Sequence, residues 1–278
     1  MPPRASDEAE PLPGGTFSRL WSLPGPGGDV VVKLGPPDLV RHEARALERI
    51  AGLGVAPALI AAGEGVLVTA RVPGGTRGLA DLDAGALRRL GAQVRRIHEH
   101  EHAGAGAIPA WGDDTSATLA DYRARRAAAL LADPGRRADL VKRVVEATVD
   151  RDPAVPAPFR RLHGDLWGGN IVWDGDAPIL VDWEYSHLGD PAFELAYAAE
   201  MDAMGDVALG ALLAGYDDPG IATRVAAWRP LVALESALWY GAVGESARAS
   251  ELAAQAERQA VRATGGAAPR TARPRGTE

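Results

Sequence analysis

Three oxygen-bearing side chains in one short stretch of this 278-residue chain have the types and the spacing for phosphate chemistry. Asp165 stands five residues before Asn170, and Asp182 follows Asn170 by twelve residues. A carboxylate can orient a hydroxyl group and accept its proton, while an amide oxygen and a second carboxylate suit Mg²⁺. Phosphoryl transfer from ATP needs its groups in this order. We therefore predict Asp165 as the catalytic base and Asn170 and Asp182 as ligands of Mg²⁺.

The elements around these residues must be short strands joined by tight turns. Apolar runs at 171–173 and 179–181 flank a turn at 174–176, which predicts a β-hairpin within a β-rich segment at 159–184. His163 is expected to support the loop through hydrogen bonds, and Gly164 to permit a tight backbone turn. The alternative is a hairpin whose acidic residues are incidental.

The stretch RLHGDLWGGNIVWDGDAPILVDWEY at 161–185 resembles the motifs of the aminoglycoside phosphotransferase and choline kinase superfamily of small-molecule kinases. Within it, HGDLWGGN resembles the corresponding loop of the fructosamine kinases. The segment VDWEYSHLGDPAFELA at 181–196 is more similar to the choline kinase and general phosphotransferase branches. The resemblance implies an α+β, protein-kinase-like bilobal fold with a small β-rich N-lobe and a mostly helical C-lobe. It also implies ATP and Mg²⁺ as cofactors.

Lysine is rare in this chain, which makes one lysine informative. Lys33 and Lys142 are its only lysines against 28 arginines, and Lys33 ends the apolar run Val30–Val32. In protein-kinase-like enzymes such a lysine contacts the ATP phosphates and pairs with a helix carboxylate. Glu43, ten residues later, is the predicted partner. In the alternative interpretation, Lys33 extends from an edge strand to solvent and Glu43 is a solvated helix residue.

Two further segments are predicted to contact the nucleotide. Gly14, Gly15 and Thr16 form a glycine-rich turn in which backbone N–H groups could approach the phosphates. By resemblance, backbone groups near Ala70 and Val72 would read the edge of adenine. A strand that touches no ligand is the alternative for this second segment.

The wider pattern predicts two lobes between disordered ends. We expect disorder at 1–10 and 264–278, a nucleotide-binding N-lobe at 11–72, and a C-lobe at 73–263 that begins at a Pro-Gly-Gly hinge. The N-lobe is predicted to hold a hairpin ending at Lys33, one helix and two more strands. From about residue 81 the chain is predicted to be mostly helical, beginning with an apolar stripe of Leu87, Leu90, Val94 and Ile97. Further helices are predicted at 116–132, 136–149, 191–204, 206–215, 221–241 and 245–262.

Composition excludes several other classes of function. The chain has no cysteine, so disulfides, thiolate metal sites and cysteine nucleophiles are ruled out. A net charge of −7 disfavours nucleic acid as a partner and is compatible with a cationic small-molecule acceptor. No apolar run has membrane-spanning length, and the polar N-terminus lacks a signal-peptide core, so we expect a cytoplasmic protein. Its expected state is a monomer or a homodimer.

The predicted function is ATP-dependent O-phosphorylation of a small, amine-bearing molecule, such as an aminoglycoside-like antibiotic, an amino alcohol or an amino sugar. A role in antibiotic resistance follows if the acceptor is an antibiotic. The candidate acceptor residues are Trp167, Glu184, Tyr185 and Glu235. The alternatives are a fructosamine or ketosamine kinase-like repair enzyme and a nucleotide-binding pseudokinase or regulator. A protein kinase is disfavoured, because the short interval that follows the second metal-ligand candidate leaves no room for an activation loop.

Two remaining groups of polar residues have structural interpretations. Asp190 precedes Pro191, which predicts a helix N-terminus there, and Glu194 is expected to anchor that helix. His98, His100 and His102 alternate with glutamates, but on a helix only the first and third share a face. We therefore expect a helix end rather than a metal site.

Overall fold

A computed structural model describes residues 9–13, 18–100, 142 and 160–263 of the chain. The described residues fall into two compact units. The first contains residues up to 100 and residues 160–222, and the second contains residues 223–263 together with residue 142. All but one of the candidate site residues that the structure describes lie in the first unit. The predicted division into lobes at residues 72 and 73 stays a prediction.

An antiparallel five-stranded sheet forms the N-terminal part of the first unit. In spatial order its strands are β1 (Glu10–Leu12), β2 (Arg19–Leu23), β3 (Val30–Leu34), β5 (Val66–Ala70) and β4 (Leu59–Gly63). The predicted hairpin is present, because β2 and β3 pair with Leu20 opposite Lys33. The β-branched run of β3 favours this extended conformation. Since β3 lies between two strands, Lys33 stands at the centre of the sheet rather than at an edge.

Helix α1 (Pro37–Arg49) connects β3 to β4, as predicted. A proline in its first turn and an acidic residue close behind it are favourable at a helix N-terminus. Val40, Ala44 and Leu47 form its buried stripe at helical spacing, and Glu43 lies on the same buried face. A charged residue within an apolar stripe needs a partner, and the sheet supplies one.

Two small antiparallel sheets carry the central motif. Strands β8 (Ile171–Asp174) and β9 (Ala177–Leu180) form the predicted hairpin, joined by β6 (Gly75–Thr76). Strand β7 (Arg160–Leu162) lies in the segment that was predicted as β-rich and pairs with β10 (His187–Gly189). This pairing was not predicted, because three residues show no readable alternation. A single 3₁₀ turn, Gly168–Asn170, leads directly into β8. Strand β6 begins at Gly75, the last residue of the segment that was predicted as a hinge.

Three α-helices complete the described part of the first unit: α2 (Ala84–His100), α3 (Pro191–Met201) and α4 (Asp206–Tyr216). The predicted apolar stripe of α2 is buried, with at most 1% of any of its four side chains exposed. Helix α2 packs against α4 through glycines. A Cβ atom on Gly91 would lie 2.2 Å from the Leu212 carbonyl oxygen, and one on Gly215 would lie 2.1 Å from that of Arg88. The two backbones therefore approach closely, which only glycine permits.

Helices α5 (Ile221–Ala242) and α6 (Ser246–Ala263) agree with the two predicted C-terminal helices. Helix α5 begins at the end of the first unit and contains Pro230. None of the described helices is long and apolar enough to cross a membrane. The helix predicted at 116–132 lies outside the described residues, and of the helix predicted at 136–149 only residue 142 is described. The predicted tail at 264–278 and residues 1–8 also lie outside them.

Candidate active site

The Lys33 ammonium lies at the centre of three carboxylates. Its Nζ is 2.7 Å from Glu43 Oε2, 2.5 Å from Asp182 Oδ1 and 2.7 Å from Glu184 Oε2. The predicted pair of Lys33 with Glu43 is therefore present, and the solvated alternative is wrong for both residues. We call these four residues the Lys33 cluster. It joins the sheet, α1 and the segment after β9, whose residues are distant in sequence.

The Lys33 cluster contains three carboxylates and one ammonium, and most of its side chains are buried. Burial alone would lower the pKa of Lys33, but the charges of Glu43, Asp182 and Glu184 outweigh burial and raise it above its ordinary value. For Glu43 and Glu184 burial acts in the other direction and raises the pKa values, and the positive charge of Lys33 only partly offsets this. Only Asp182 keeps 31% of its side chain exposed, against 5% and 6% for the two glutamates. Asp182 is thus the carboxylate of the cluster most accessible to a ligand.

The backbone at Asp182 has an unusual conformation, which hydrogen bonds of the next residue stabilise. Asp182 has a φ of +65°, in the left-handed region that aspartate tolerates better than most residues. The next residue, Trp183, is fully buried and donates its backbone N–H to Glu43 Oε1 at 3.1 Å and its indole N–H to the Leu180 carbonyl at 2.8 Å. Glu43 therefore holds both Lys33 and the segment that carries Asp182. Such local strain is typical of functional positions.

The Asp165 carboxylate has a hydrogen-bond donor on each oxygen. The side-chain amide of Asn170 donates to Oδ2 at 2.8 Å, and the hydroxyl of Tyr197 donates to Oδ1 at 2.6 Å. The same amide nitrogen donates to the Asp165 carbonyl at 2.9 Å. Because its nitrogen is engaged in this way, Asn170 has its Oδ1 available for a cation. Its own backbone carbonyl accepts the Val181 N–H at 2.9 Å, which places Asn170 beside the segment of Asp182.

The loop before Asp165 is fixed by side chains of the motif itself. His163 Nε2 donates to the Val181 carbonyl at 2.9 Å, and its Nδ1 accepts the Asp165 N–H at 3.3 Å. The predicted supporting role of His163 is thus confirmed. Gly164 has a φ of +88°, and a Cβ atom there would lie 2.0 Å from the Tyr185 carbonyl oxygen. The predicted tight turn therefore requires glycine at this position.

Helix α3 anchors the loop from the other side. Asp190 caps the helix by accepting the Ala192 N–H at 3.0 Å, as predicted. Glu194 accepts the Gly164 N–H at 2.7 Å, so it anchors the helix to the loop. Just past the end of the helix, Asp202 accepts the Gly168 N–H at 2.8 Å. Together with Tyr197, these contacts hold the loop along one helix.

His98 supports Glu194 from α2. Its Nε2 lies 2.7 Å from Glu194 Oε2, and both side chains are buried. Burial would raise the pKa of Glu194, but the hydrogen bond and charge of His98, with His163 and the Gly164 N–H, lower it below its ordinary value. His100 contacts the Arg49 carbonyl instead, as expected for residues on different faces. His102 lies outside the described residues.

A sequence profile provides the first comparison with known proteins. The profile of the phosphotransferase enzyme family matches residues 8–231, which is most of the chain. The chain belongs to this family. The match spans the Lys33 cluster, Asp165, Asn170 and helix α3. The predicted family and enzyme class are therefore confirmed.

Individual relatives of this phosphotransferase act on different compounds. A probable ketoamine kinase of Thermus thermophilus is 34% identical over 202 residues, which cover 69% of this chain and 72% of the relative. Viomycin phosphotransferase of Streptomyces vinaceus is 36% identical over 118 residues, which cover 40% of this chain and 38% of the relative. The chain therefore spans less than half the length of the second relative. Neither likeness by itself fixes the acceptor.

A solved structure confirms the fold class of the phosphotransferase. A thermostable mutant of an aminoglycoside phosphotransferase, in a ternary complex with ADP and hygromycin B, matches with a TM-score of 0.67 and 16% identity. The match covers 93% of this chain and 95% of that one. At this identity the likeness shows the fold alone. It agrees with the α+β arrangement of a sheet followed by helices.

The residues of the phosphotransferase fit a hard divalent cation. Glu43, Asp182 and Glu184 each offer an oxygen, and these oxygens lie within 4.8 Å of one another. Among the described residues, no other group of three such side chains lies as close together. Oxygen donors with an excess of negative charge suit Mg²⁺. Asp182 is the most exposed of these carboxylates, and its role with Asn170 as a ligand of Mg²⁺ stays a prediction.

The candidate acceptor residues have four different surroundings. Trp167 is 42% exposed, and its ring lies against Gly169, where a Cβ atom would be 2.3 Å from it. Burial and the neighbouring carboxylates, chiefly Glu184, raise the pKa of Tyr185 to about 12, so its phenol stays protonated at neutral pH. Glu184 is bound to Lys33, an arrangement that the sequence did not suggest. Glu235 is half-buried on α5 in the second unit, and its role stays a prediction.

The nucleotide contacts predicted in the N-terminal region are only partly described. The Ala70 N–H already donates at 2.9 Å to the carbonyl of Ala58, the residue before β4, so this donor is engaged. Val72 follows the strand and is half-buried. Gly14, Gly15 and Thr16 lie outside the described residues. Reading of the adenine edge near Ala70 and Val72 remains a prediction.

Sequence reasoning missed two residues that contact the central loop. Tyr197 and Asp202 lie 32 and 34 residues from the groups they contact. A signal was available, because Glu194, Tyr197 and Asp202 follow the motif directly and lie on one half of a helical projection. The spacing alone does not say which partner that face meets.

Proposed function

We propose that the protein transfers the γ-phosphoryl group of ATP to a hydroxyl group of a small, amine-bearing acceptor, and that a ketoamine is the acceptor class. The observation that supports it best is the pair of adjoining groups in the first unit. One is the Asp165 carboxylate, held by two donors, and the other is the Lys33 cluster. Their segments are joined by the hydrogen bond between Val181 and Asn170. The cytoplasm, where ATP is available, is the proposed location.

In the proposed reaction Asp165 acts as the base. The acceptor hydroxyl hydrogen-bonds to its carboxylate, which orients the oxygen toward the γ-phosphorus. As the new O–P bond forms, the bond between the γ-phosphorus and the β,γ-bridging oxygen breaks, and ADP leaves with that oxygen. The hydroxyl proton passes to Asp165. The products are ADP and the phosphorylated acceptor, and the proton is later released to solvent.

The Lys33 cluster and Asn170 handle the phosphates in this proposal. Lys33 contacts the α- and β-phosphates, and Glu43 keeps its ammonium in place from α1. Asp182 and Asn170 would hold Mg²⁺, which neutralises the charge that develops on the phosphate oxygens. The three N–H donors of Lys33 all contact carboxylates, so Lys33 contacts the phosphates once Asp182 exchanges the ammonium for Mg²⁺, while Glu43 keeps Lys33 in place.

Two observations favour a ketoamine over the other acceptors. The relative that matches over 202 residues is a probable ketoamine kinase. The loop at 163–170 also resembles that of the fructosamine kinases, and its exposed Trp167 offers an aromatic face to a sugar or a cation. Viomycin is the second candidate, because viomycin phosphotransferase matches over 118 residues. Aminoglycosides and amino alcohols, which the sequence also predicted as acceptors, are included among the compounds to be tested.

The test is a coupled ADP-release assay with Mg-ATP and a panel of acceptors. The panel contains a fructosyl amine, viomycin, aminoglycosides, thiamine, choline and ethanolamine, and each product is analysed by mass spectrometry. We expect fructosyl amines to give a phosphate monoester with the highest kcat/KM. A higher kcat/KM for an antibiotic would show that the acceptor is an antibiotic rather than a ketoamine, and the proposed kinase activity would still hold. Binding of Mg-ATP without transfer to any member would contradict the proposed function.

A further inference from the structure

Among the described residues, Tyr197 is the only one outside the motif at 161–185 whose side chain forms a hydrogen bond with the Asp165 carboxylate. Its hydroxyl donates to Oδ1 at 2.6 Å, and the tyrosine is half-buried on α3. The length of the bond is typical of a hydroxyl that donates to an ionised acceptor. A short contact between a helix residue and the proposed base calls for an explanation beyond packing.

The two donors on the carboxylate fix its plane. Asn170 approaches Oδ2 from within the loop, while Tyr197 approaches Oδ1 from α3. The terminal torsion of aspartate is otherwise broad, so an unsupported carboxylate would rotate among many orientations. With both bonds present, the oxygens point in a defined direction. Each oxygen has two lone-pair positions, so a position remains for the acceptor hydroxyl.

Tyr197 is itself held in place. Its ring packs against that of Phe193 at a centroid distance of 6.4 Å, one turn earlier on α3. The helix is capped by Asp190 and bound to Gly164 through Glu194. The phenol is thus carried by a rigid element that is also fastened to the loop it supports. Groups positioned by regular elements hold a reacting group more accurately than mobile loops do.

We propose that Tyr197 is a positioning residue for phosphoryl transfer, which orients the Asp165 carboxylate toward the acceptor hydroxyl. This inference rests on the proposed function. Tyr197 takes no proton from the acceptor, because its own O–H is the donor to Asp165. Its contribution is made in the transfer step, where the direction of the carboxylate matters. It should therefore affect kcat and leave the binding of ATP at the Lys33 cluster unchanged.

The experiment replaces Tyr197 by Phe, which removes the hydroxyl and keeps the ring. A hydrogen bond to a charged group is worth enough to change a rate about ten- to a hundredfold. We expect kcat for the preferred acceptor to fall by about that factor, while KM for ATP and the Mg²⁺ concentration for half-maximal activity stay within about twofold. A general packing defect would instead change kcat, the KM for ATP and the Mg²⁺ requirement together.

The matched control is Tyr216→Phe. Tyr216 is buried on α4 of the same unit, and its hydroxyl contacts His98 Nδ1 at 3.0 Å rather than Asp165. This variant loses a buried hydroxyl as well, so its thermal stability should fall. Tyr216 reaches the loop only through His98 and Glu194, so kcat should fall clearly less than in Tyr197→Phe. An equal loss of kcat in both variants would assign the effect to stability and overturn the inference.

A second measurement tests the contact independently of turnover. Urea unfolding of wild type, Tyr197→Phe, Asp165→Ala and the double variant should show non-additive effects, because the two side chains share one bond. Additive effects would overturn the inference. A wild type that transfers phosphate to no acceptor refutes the proposed function, and the inference falls with it. An active wild type with an equally active Tyr197→Phe refutes only the role of Tyr197.

Discussion

The Lys33 cluster and the Asp165 loop are two halves of one candidate site that are held together by different forces. In the cluster, three carboxylates surround an ammonium, and two of them are almost fully buried. The Asp165 loop is held instead by hydrogen bonds, many of them between a side chain and a backbone N–H. The first half depends on ionic charge, and the second depends on the direction of single donors.

This difference follows from what each half is proposed to handle. Phosphates and a divalent cation carry several charges, so a site for them needs groups of both signs that are already oriented. A hydroxyl group is neutral and must be placed accurately next to one carboxylate oxygen. Substitutions in the cluster should therefore change stability and nucleotide use strongly. Substitutions around the loop should have smaller effects, concentrated in the transfer step.

The largest effect is expected for Lys33→Met. Removal of the ammonium leaves three carboxylates facing one another, two of them buried, which should cost about 3–5 kcal/mol of unfolding free energy. Turnover should fall by at least about a hundredfold, since a preorganised phosphate contact is lost. Urea unfolding and ADP release measure both quantities.

Lys33→Arg is the matched control. It keeps the charge but not the compact geometry that three oxygens at 2.5–2.7 Å from one nitrogen require. We expect it to recover more of the stability than of the activity. Wild-type stability in Lys33→Met would show that the cluster is not held by charge.

An intermediate effect is expected for Glu194→Gln, and it should depend on pH. Because the folded protein lowers the pKa of Glu194 below its ordinary value of 4.5, the unfolded chain binds more protons over that interval. The stabilisation is therefore complete above about pH 4.5 and is lost as pH falls through the folded pKa. At neutral pH the variant should lose about 1.5–3 kcal/mol, the value of a hydrogen bond to a charged group.

The check is urea unfolding of wild type and Glu194→Gln across this pH range. The difference between the two should narrow as the solution becomes acidic. A difference that stays constant down to the most acidic pH at which the protein folds would contradict the charged state of Glu194 in the folded protein.

A smaller effect is expected for Asp202→Asn. Its carboxylate accepts the Gly168 N–H at 2.8 Å and the Leu79 N–H at 3.1 Å, and an amide can offer only one acceptor oxygen. We expect about 1–2 kcal/mol of lost stability. Gly168 begins the turn that ends at Asn170, so the Mg²⁺ requirement should rise while KM for the acceptor does not. Titration of Mg²⁺ in the ADP-release assay distinguishes this from a general loss of activity.

The smallest effect is expected at an exposed ion pair. Arg41 and Asp38 lie 2.9 Å apart on α1, but 57% and 91% of their side chains are exposed. Such pairs contribute about 0–1 kcal/mol. Arg41→Ala should therefore leave activity unchanged and alter the unfolding midpoint only slightly. It is the reference for the buried pair of Lys33 and Glu43, whose glutamate lies on the same helix.

The sequence was sufficient where a contact or an element follows from residue type and local spacing. Lys33 and Glu43 belong to one strand and the helix that follows it, so their pairing could be predicted from a separation of ten residues. Asp165 and Asn170 belong to one loop, and the hairpin after them could be read from two apolar runs. The stripe of α2 was equally clear, since its period matches a buried helix face.

The remaining contacts could not be predicted because they depend on how distant segments meet. Glu184 reaches Lys33 across 151 residues, and its type and position also fitted an acceptor contact. Tyr197 occupies one position on a helix that is apolar on nearly every side, so periodicity does not single it out. The partners of Asp202 cannot be predicted from the sequence, because they are backbone N–H groups in two other segments.

The most direct test of the central claim compares wild type with Asp165→Ala in a single turnover of ATP and the preferred acceptor. Mg-ATP binding is measured by calorimetry on the same samples. The account predicts a phosphate monoester from wild type and none on the same timescale from the variant, with Mg-ATP bound equally well by both. Transfer by Asp165→Ala at the wild-type rate would contradict the assignment of Asp165 as the group that accepts the proton.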